Sequence, residues 1–131
     1  MKRWRWIKSS VVYAIHDRQL AEHGGLDRVR DEAAIDSALS RPRNLARYAP
    51  ESDSAALAAS YAFSIARTHG FSDGNKRTAW VVARLFLLEN RFQLNFAPSD
   101  AVRIMESVAA GRLPEIQLAD WFRSRISRVR R

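Results

Sequence analysis

The residues of this 131-residue chain that can do chemistry gather in one nine-residue run, His69-Gly70-Phe71-Ser72-Asp73-Gly74-Asn75-Lys76-Arg77. An imidazole titrates near neutral pH, so His69 suits a general base that takes a proton from an attacking hydroxyl. Asp73 offers a carboxylate for Mg2+, which prefers one or two carboxylates together with phosphate oxygens. A helix opening at Gly74-Asn75-Lys76-Arg77 presents free amides and a positive dipole end to an anion. Lys76 adds a point charge there and Arg77 a planar fork. Two cations in a first helical turn oppose the dipole, and a bound polyphosphate would offset that cost. Gly70 and Gly74 are expected to supply backbone conformations barred to other residues, and Phe71 to pin the run to the core. The same composition also fits a plain helix–helix loop with satisfied polar groups. A Walker A loop is excluded: Asn75 precedes Lys76, Arg77 follows it, and the segment ahead reads as helix rather than strand.

The elements that must position this run are almost all helical. Ser9 or Ser10 is expected to cap a helix carrying Val12, Ile15 and Leu20, stopped at Gly24-Gly25. Asp31 opens a second, short helix with Ala34, Ile35, Ala38 and Leu39 at helical spacing, closed by Pro42. Residues 41–50 have no clean period and read as an ordered loop or flap. Ser52 or Asp53 caps a long alanine-rich helix whose stripe is Leu57, Ala58, Tyr61, Ala62, Ile65 and Ala66, ending at His69-Gly70. The next helix runs from about Asn75 to Asn90 with Ala79, Val82, Ala83, Phe86 and Leu87 inward. Residues 91–96 alternate as a short extended piece. Pro98-Ser99-Asp100 starts a helix to about Ala110, and Pro114 sits in the first turn of a last one through Trp121-Phe122.

Size and composition bound the answer further. The length fits one domain, residues 1–131, and 47% hydrophobic residues can build a core. No apolar stretch reaches the roughly 18 residues of a membrane span, and no export signal is evident, so the expected location is cytoplasmic. There is no cysteine, hence no disulfide and no thiolate metal site. The net charge of +8 is carried by the ends. Residues 1–8 hold four cations and no acid, residues 112–131 hold six arginines against two acids, and the middle balances at twelve of each sign. Such ends are either solvated tails or a dock for an acidic partner or nucleic acid. Trp4 and Trp6, flanked by Lys and Arg, are the pair that could stack on bases. His16-Asp17 resembles the ligand pair of metal-dependent phosphohydrolases, but only His23 and His69 remain as further histidines. A polar pair supporting the site from the first helix is the better account.

The nine-residue run is similar to the active-site motif of the Fic/Doc family, His-x-Phe-x-(Asp/Glu)-Gly-Asn-(Gly/Lys)-Arg, in its Doc-branch form with Asn-Lys-Arg. Ala14-Ile15-His16-Asp17, Gly24-Gly25, Arg30-Asp31, Ser37 to Pro42, the alanine-rich helix and Leu85 to Asn90 extend the resemblance over roughly residues 6–125. The resemblance implies an all-α fold, a compact helical bundle with the motif between two central helices. It implies catalysis by His69, Asp73, Lys76 and Arg77, with His69 as base and Asp73 as Mg2+ ligand. It places Gly70, Gly74, Asn75, Lys76, Arg77 and Arg67 on nucleotide phosphates. It puts a flap that aligns the target at residues 41–50, with Arg43, Asn44, Leu45 and Tyr48. AMP-transferring members carry a second arginine three residues after Arg77 and glycine in place of Lys76. Trp80 stands at the first of those positions here, as in the Doc branch. The implied activity is that of a toxin of a toxin–antitoxin module that moves phosphate from ATP or another NTP to a Ser/Thr hydroxyl of a protein. Elongation factor Tu is the expected target and a Phd-like antitoxin the expected restraint. No inhibitory helix of the family type lies within the chain. AMP transfer and a non-catalytic basic binding module are the alternatives, and nucleic acid is not the expected substrate.

Overall fold

The computed structural model describes residues 3–25, 31–68 and 70–129. Helix α1 spans Ser9–His23 and starts after Lys8 without a side-chain cap; Ser9 and Ser10 already lie inside the helix. Gly24, at φ 78, stops it in a conformation that favours glycine.

Helix α2 spans Glu32–Tyr48, with the Asp31 carboxylate accepting from the Ala34 amide at 3.1 Å. The reading of Pro42 as a helix end and of residues 41–50 as a loop is corrected here: the helix runs through Pro42 for six more residues. A proline forfeits one backbone hydrogen bond, a cost of about 3 kcal/mol in a helix interior. Pro42 is itself buried, however, and the apolar stripe of Ile35, Ala38 and Leu39 continues through it to Leu45 and Ala46. That burial holds the helix together across the proline.

Helix α3 spans Ser54–Arg67 and is the centre of the molecule, packed on α2 and on three later helices. Asp53 caps it by accepting from the Ala56 amide at 2.9 Å. Its alanines and serines, Ala56 apart, are buried on several sides, not along one stripe, because small side chains let several helices approach at once. The helix ends at Arg67, with Thr68 extended, so it stops short of the expected His69-Gly70.

Helix α4 spans Asn75–Glu89, followed by β1 at Phe92–Leu94, α5 at Pro98–Ala109, α6 at Glu115–Arg123 and β2 at Ile126–Arg128. β1 and β2 pair antiparallel, Phe92 opposite Arg128 and Leu94 opposite Ile126. Residues 91–96 thus contain the expected extended piece, while its partner at the far end of the chain was not foreseen. Trp4 and Trp6 lie against Phe86 of α4 at centroid distances of 5.9 and 5.8 Å. That packing makes them part of the core rim, not free stacking platforms. Among the described residues no helix is long and apolar enough to cross a membrane.

Candidate active site

The run between α3 and α4 is a short loop fastened from two sides. Phe71 is fully buried; its ring lies flat on His16 of α1, centroids 3.8 Å apart, and meets Tyr13 edge-on at 5.8 Å. This is the anchoring expected of it. The Tyr13 phenol is raised above its usual pKa by burial and by the nearby carboxylates of Glu32 and Asp36 on α2. On the other side the Gly70 carbonyl accepts from the Asp31 amide at 3.1 Å, which ties the loop to the cap of α2. The Gly70 amide donates to Thr68 Oγ1 at 3.2 Å.

The two glycines serve different ends. Gly74 sits at φ 80, ψ 12 immediately before α4, a left-handed conformation that favours glycine. Gly70 has no such φ. It is small because a Cβ there would collide with the Ile35 side chain. The sequence expectation of a special conformation holds at Gly74 and is corrected at Gly70, where space is the reason.

Helix α4 opens without a side-chain cap and without an acid in its first turn. Its leading amides have no intrahelical carbonyl to bond, and the first backbone bond of the helix is Thr78 to Gly74 at 2.9 Å. Lys76 and Arg77 are exposed in that turn. The Asn75 amide group donates to the Phe71 carbonyl at 3.1 Å, closing the loop on itself. Its Oδ1 is buried with no partner among the described residues. The Asn75 side chain therefore holds the loop.

Two clefts flank the run. One, of about 320 Å³, is lined by Arg67, Thr68, Ser72 and residues 73–76. The other, of about 550 Å³, lies between α4 and α5; Asp73, Lys76 and Arg77 form its polar end, and Trp80, Phe96 and Met105 are among its apolar walls. Asp73, Gly74, Asn75 and Lys76 line both. The structure thus brings together Arg67, Gly70, Asp73, Gly74, Asn75, Lys76 and Arg77. Arg67 leaves α3 with its guanidinium over the Phe63 ring at 5.3 Å and against Gly111. His69 lies outside the described residues, as does Arg30. A carboxylate beside free helix amides and two cations is a donor set that fits a magnesium-bound polyphosphate.

The four residues assigned to a flap are helical. Arg43, Asn44, Leu45 and Tyr48 belong to the C-terminal half of α2. Asp31, at the other end of that helix, is the residue bonded to Gly70, and twelve residues of helix separate it from Arg43, about 18 Å at 1.5 Å per residue. Arg43 instead lies over the Trp6 ring at 5.7 Å. What does touch the run is Gly25: a Cβ there would lie 3.1 Å from the Asp73 Cβ. The Gly24-Gly25 pair, read from the sequence as a helix stop and as part of the family resemblance, was the available signal. His16, read as a support on the first helix, has a direct contact: its Nε2–H donates to the Asp73 backbone carbonyl at 2.7 Å.

A family model described as the Fic/DOC family matches residues 6–87. Among curated proteins the chain is similar to "Protein kinase doc" of Escherichia phage P1, 30% identical over 119 residues, 91% of this chain and 94% of that protein. It is also similar to "Toxin Doc" of Mycolicibacterium smegmatis (strain ATCC 700084 / mc(2)155), 39% identical over 92 residues, 66% of this chain and 68% of that protein.

Proposed function

The chain belongs to the Fic/DOC family, and from that premise we propose that it is the toxin of a toxin–antitoxin module and a protein kinase. In this reading it moves the terminal phosphate of ATP, or of another nucleoside triphosphate, to a Ser/Thr hydroxyl of a target protein. Elongation factor Tu is the first target to test. A Phd-like antitoxin encoded nearby restrains it.

The observation that carries this reading is the uncapped start of α4, with Gly74 left-handed, Lys76 and Arg77 in the first turn and Asp73 just ahead. Phosphoryl transfer needs positioning and charge stabilisation more than covalent help from the protein, and this is a device for both. His69 takes the proton of the target hydroxyl as its oxygen bonds to phosphorus and the nucleoside diphosphate leaves. The leading amides of α4, Lys76 and Arg77 hold the phosphate oxygens, and Arg67 approaches from the smaller cleft. Mg2+, when bound at Asp73, supplies charge neutralisation between the phosphates.

Transfer of phosphate rather than of AMP is supported by Trp80. At the place where AMP-transferring members carry a second arginine, this chain has a half-buried indole, edge-on to Phe96 at 5.0 Å and close to Trp121 and Phe122. The Trp80 position itself thus brings no guanidinium to the cleft; Arg84, one turn further along α4, lines it with its guanidinium over the Phe96 ring at 4.9 Å. The similarity to a protein named as a kinase over 91% of the chain points the same way.

The test is incubation of the purified protein with elongation factor Tu, and separately with cell lysate, using γ-labelled or α-labelled ATP and Mg2+. Label on a protein from the γ position alone is the expected result. Label from the α position replaces the kinase with an AMP transferase. Label on no protein overturns the enzyme reading in favour of a binding module.

A further inference from the structure

His16 is 1% exposed, the most deeply buried of the polar side chains of α1. A buried imidazole is costly without a partner. Its partner lies 57 residues away, in the backbone of the motif: the bond to the Asp73 carbonyl at 2.7 Å. A carbonyl oxygen only accepts, so Nε2 carries the proton. The ring stacks on Phe71 at 10° and touches the place where a Gly74 side chain would begin, 3.5 Å from an ideal Cβ. A phenylalanine would fill this space and stack on Phe71 as well. What the imidazole adds is a donor aimed at one peptide group.

That peptide group has a consequence for the anion end of α4. The Asp73–Gly74 peptide is trans and planar, so its carbonyl and its N–H point in opposite directions. Turning the Asp73 carbonyl toward α1 turns the Gly74 amide away from α1. The left-handed Gly74 then leads straight into the free amides of α4, and successive amides around such a residue form a concave nest for an anion. We infer that His16 is a positioning residue: its Nε2–H fixes the Asp73–Gly74 peptide so that the Gly74 amide joins the phosphate-binding amides of α4. The inference rests on the proposed nucleotide-dependent function for its ligand class. Its geometry stands on the bond itself.

The experiment separates the donor from the ring. His16→Phe keeps the stack on Phe71 and removes the donor; His16→Gln keeps an N–H donor of similar reach and removes the ring. Binding of Mg·ATP and of magnesium tripolyphosphate is measured by calorimetry on the full chain, with circular dichroism and Tm as controls. His16→Phe is expected to fold and to bind both probes about tenfold more weakly, the scale of one buried acceptor left unpaired. His16→Gln is expected to stay within about threefold of the parent. The kinetic counterpart is a raised KM for ATP in His16→Phe that His16→Gln restores.

Equal losses in both variants, or parent-like binding by His16→Phe, overturn the inference. Failure of the parent chain to bind either probe overturns it as well. If His16→Phe does not fold, the parent decides: a ring nitrogen spectrum with the proton on Nε2 upholds the bond, and a proton on Nδ1 alone refutes it. A parent that binds Mg·ATP but labels no protein refutes the kinase reading and leaves the comparison of variants intact.

Discussion

Single residues in the motif carry separable tasks, and each separates from folding in a different way. His69→Ala is expected to lower transfer by about 10²–10⁴, the usual cost of removing a general base, with an unchanged circular dichroism spectrum. Full toxicity of that variant in cells would remove His69 from the mechanism. Asp73→Asn is expected to raise the Mg2+ concentration needed for half-maximal activity and to leave Tm within about 1 °C. The expectation follows from an exposed side chain whose backbone carbonyl, not its carboxylate, is the atom bound to His16. A Mg2+ titration identical to the parent's would show that another group holds the metal.

At the scale of elements, the loop is held because two helices, α1 and α2, press on it, and the tightest point is Gly70 against Ile35. Gly70→Ala is expected to destabilise by about 1–3 kcal/mol, the range for overpacking a filled core, and to lower activity with it. A Tm equal to the parent's would mean that α2 can yield. The start of α3 depends on charge. The Asp53 carboxyl is held below its usual pKa, first by hydrogen bonds from Arg123 at 2.7 and 2.9 Å, then by the Ala56 amide, against the opposing effect of burial. A depressed folded pKa contributes stability that is fully present above the unfolded value, about 3.9, and lost as pH falls through the folded value. The fall in Tm between pH 7 and pH 3 should therefore be smaller in Arg123→Ala than in the parent. An undiminished fall would place the acid sensitivity elsewhere.

Over the whole molecule, the two basic ends meet at the far end of α4 from the motif. The Arg5 amide donates to Asn90 Oδ1 at 2.8 Å, and the Val129 amide donates to the Arg91 carbonyl at 2.9 Å. Arg5 and Arg128 thus lie the length of a fifteen-residue helix from the motif, about 22 Å, while Arg112 follows the Gly111 that meets the Arg67 guanidinium. Trp6→Ala is expected to cost roughly 2 kcal/mol, because half an indole's area leaves the Phe86 contact. A denaturant titration measures it. If the variant kept its stability but lost affinity for single-stranded nucleic acid, the stacking role would replace the packing one.

The motif, the helix starts at Asp31 and Asp53 and the all-helical class were legible in the chain because each depends on neighbours in sequence. A cap needs an acceptor three residues before an amide, and an anion cradle needs glycine and cations at one helix start. The continuation of α2 past Pro42 was also written there, in the spacing of Leu39, Pro42, Leu45 and Ala46. Local proline chemistry argued against it, and burial against α3 outweighed that cost. Other features belonged to contacts across long sequence separations. The pairing of β1 with β2, the reason for Gly70, the packing of Gly25 on Asp73 and the bond from His16 to the motif all join residues more than thirty positions apart. No periodicity or spacing encodes such a pair, because the chain meets itself there only once the helices have packed.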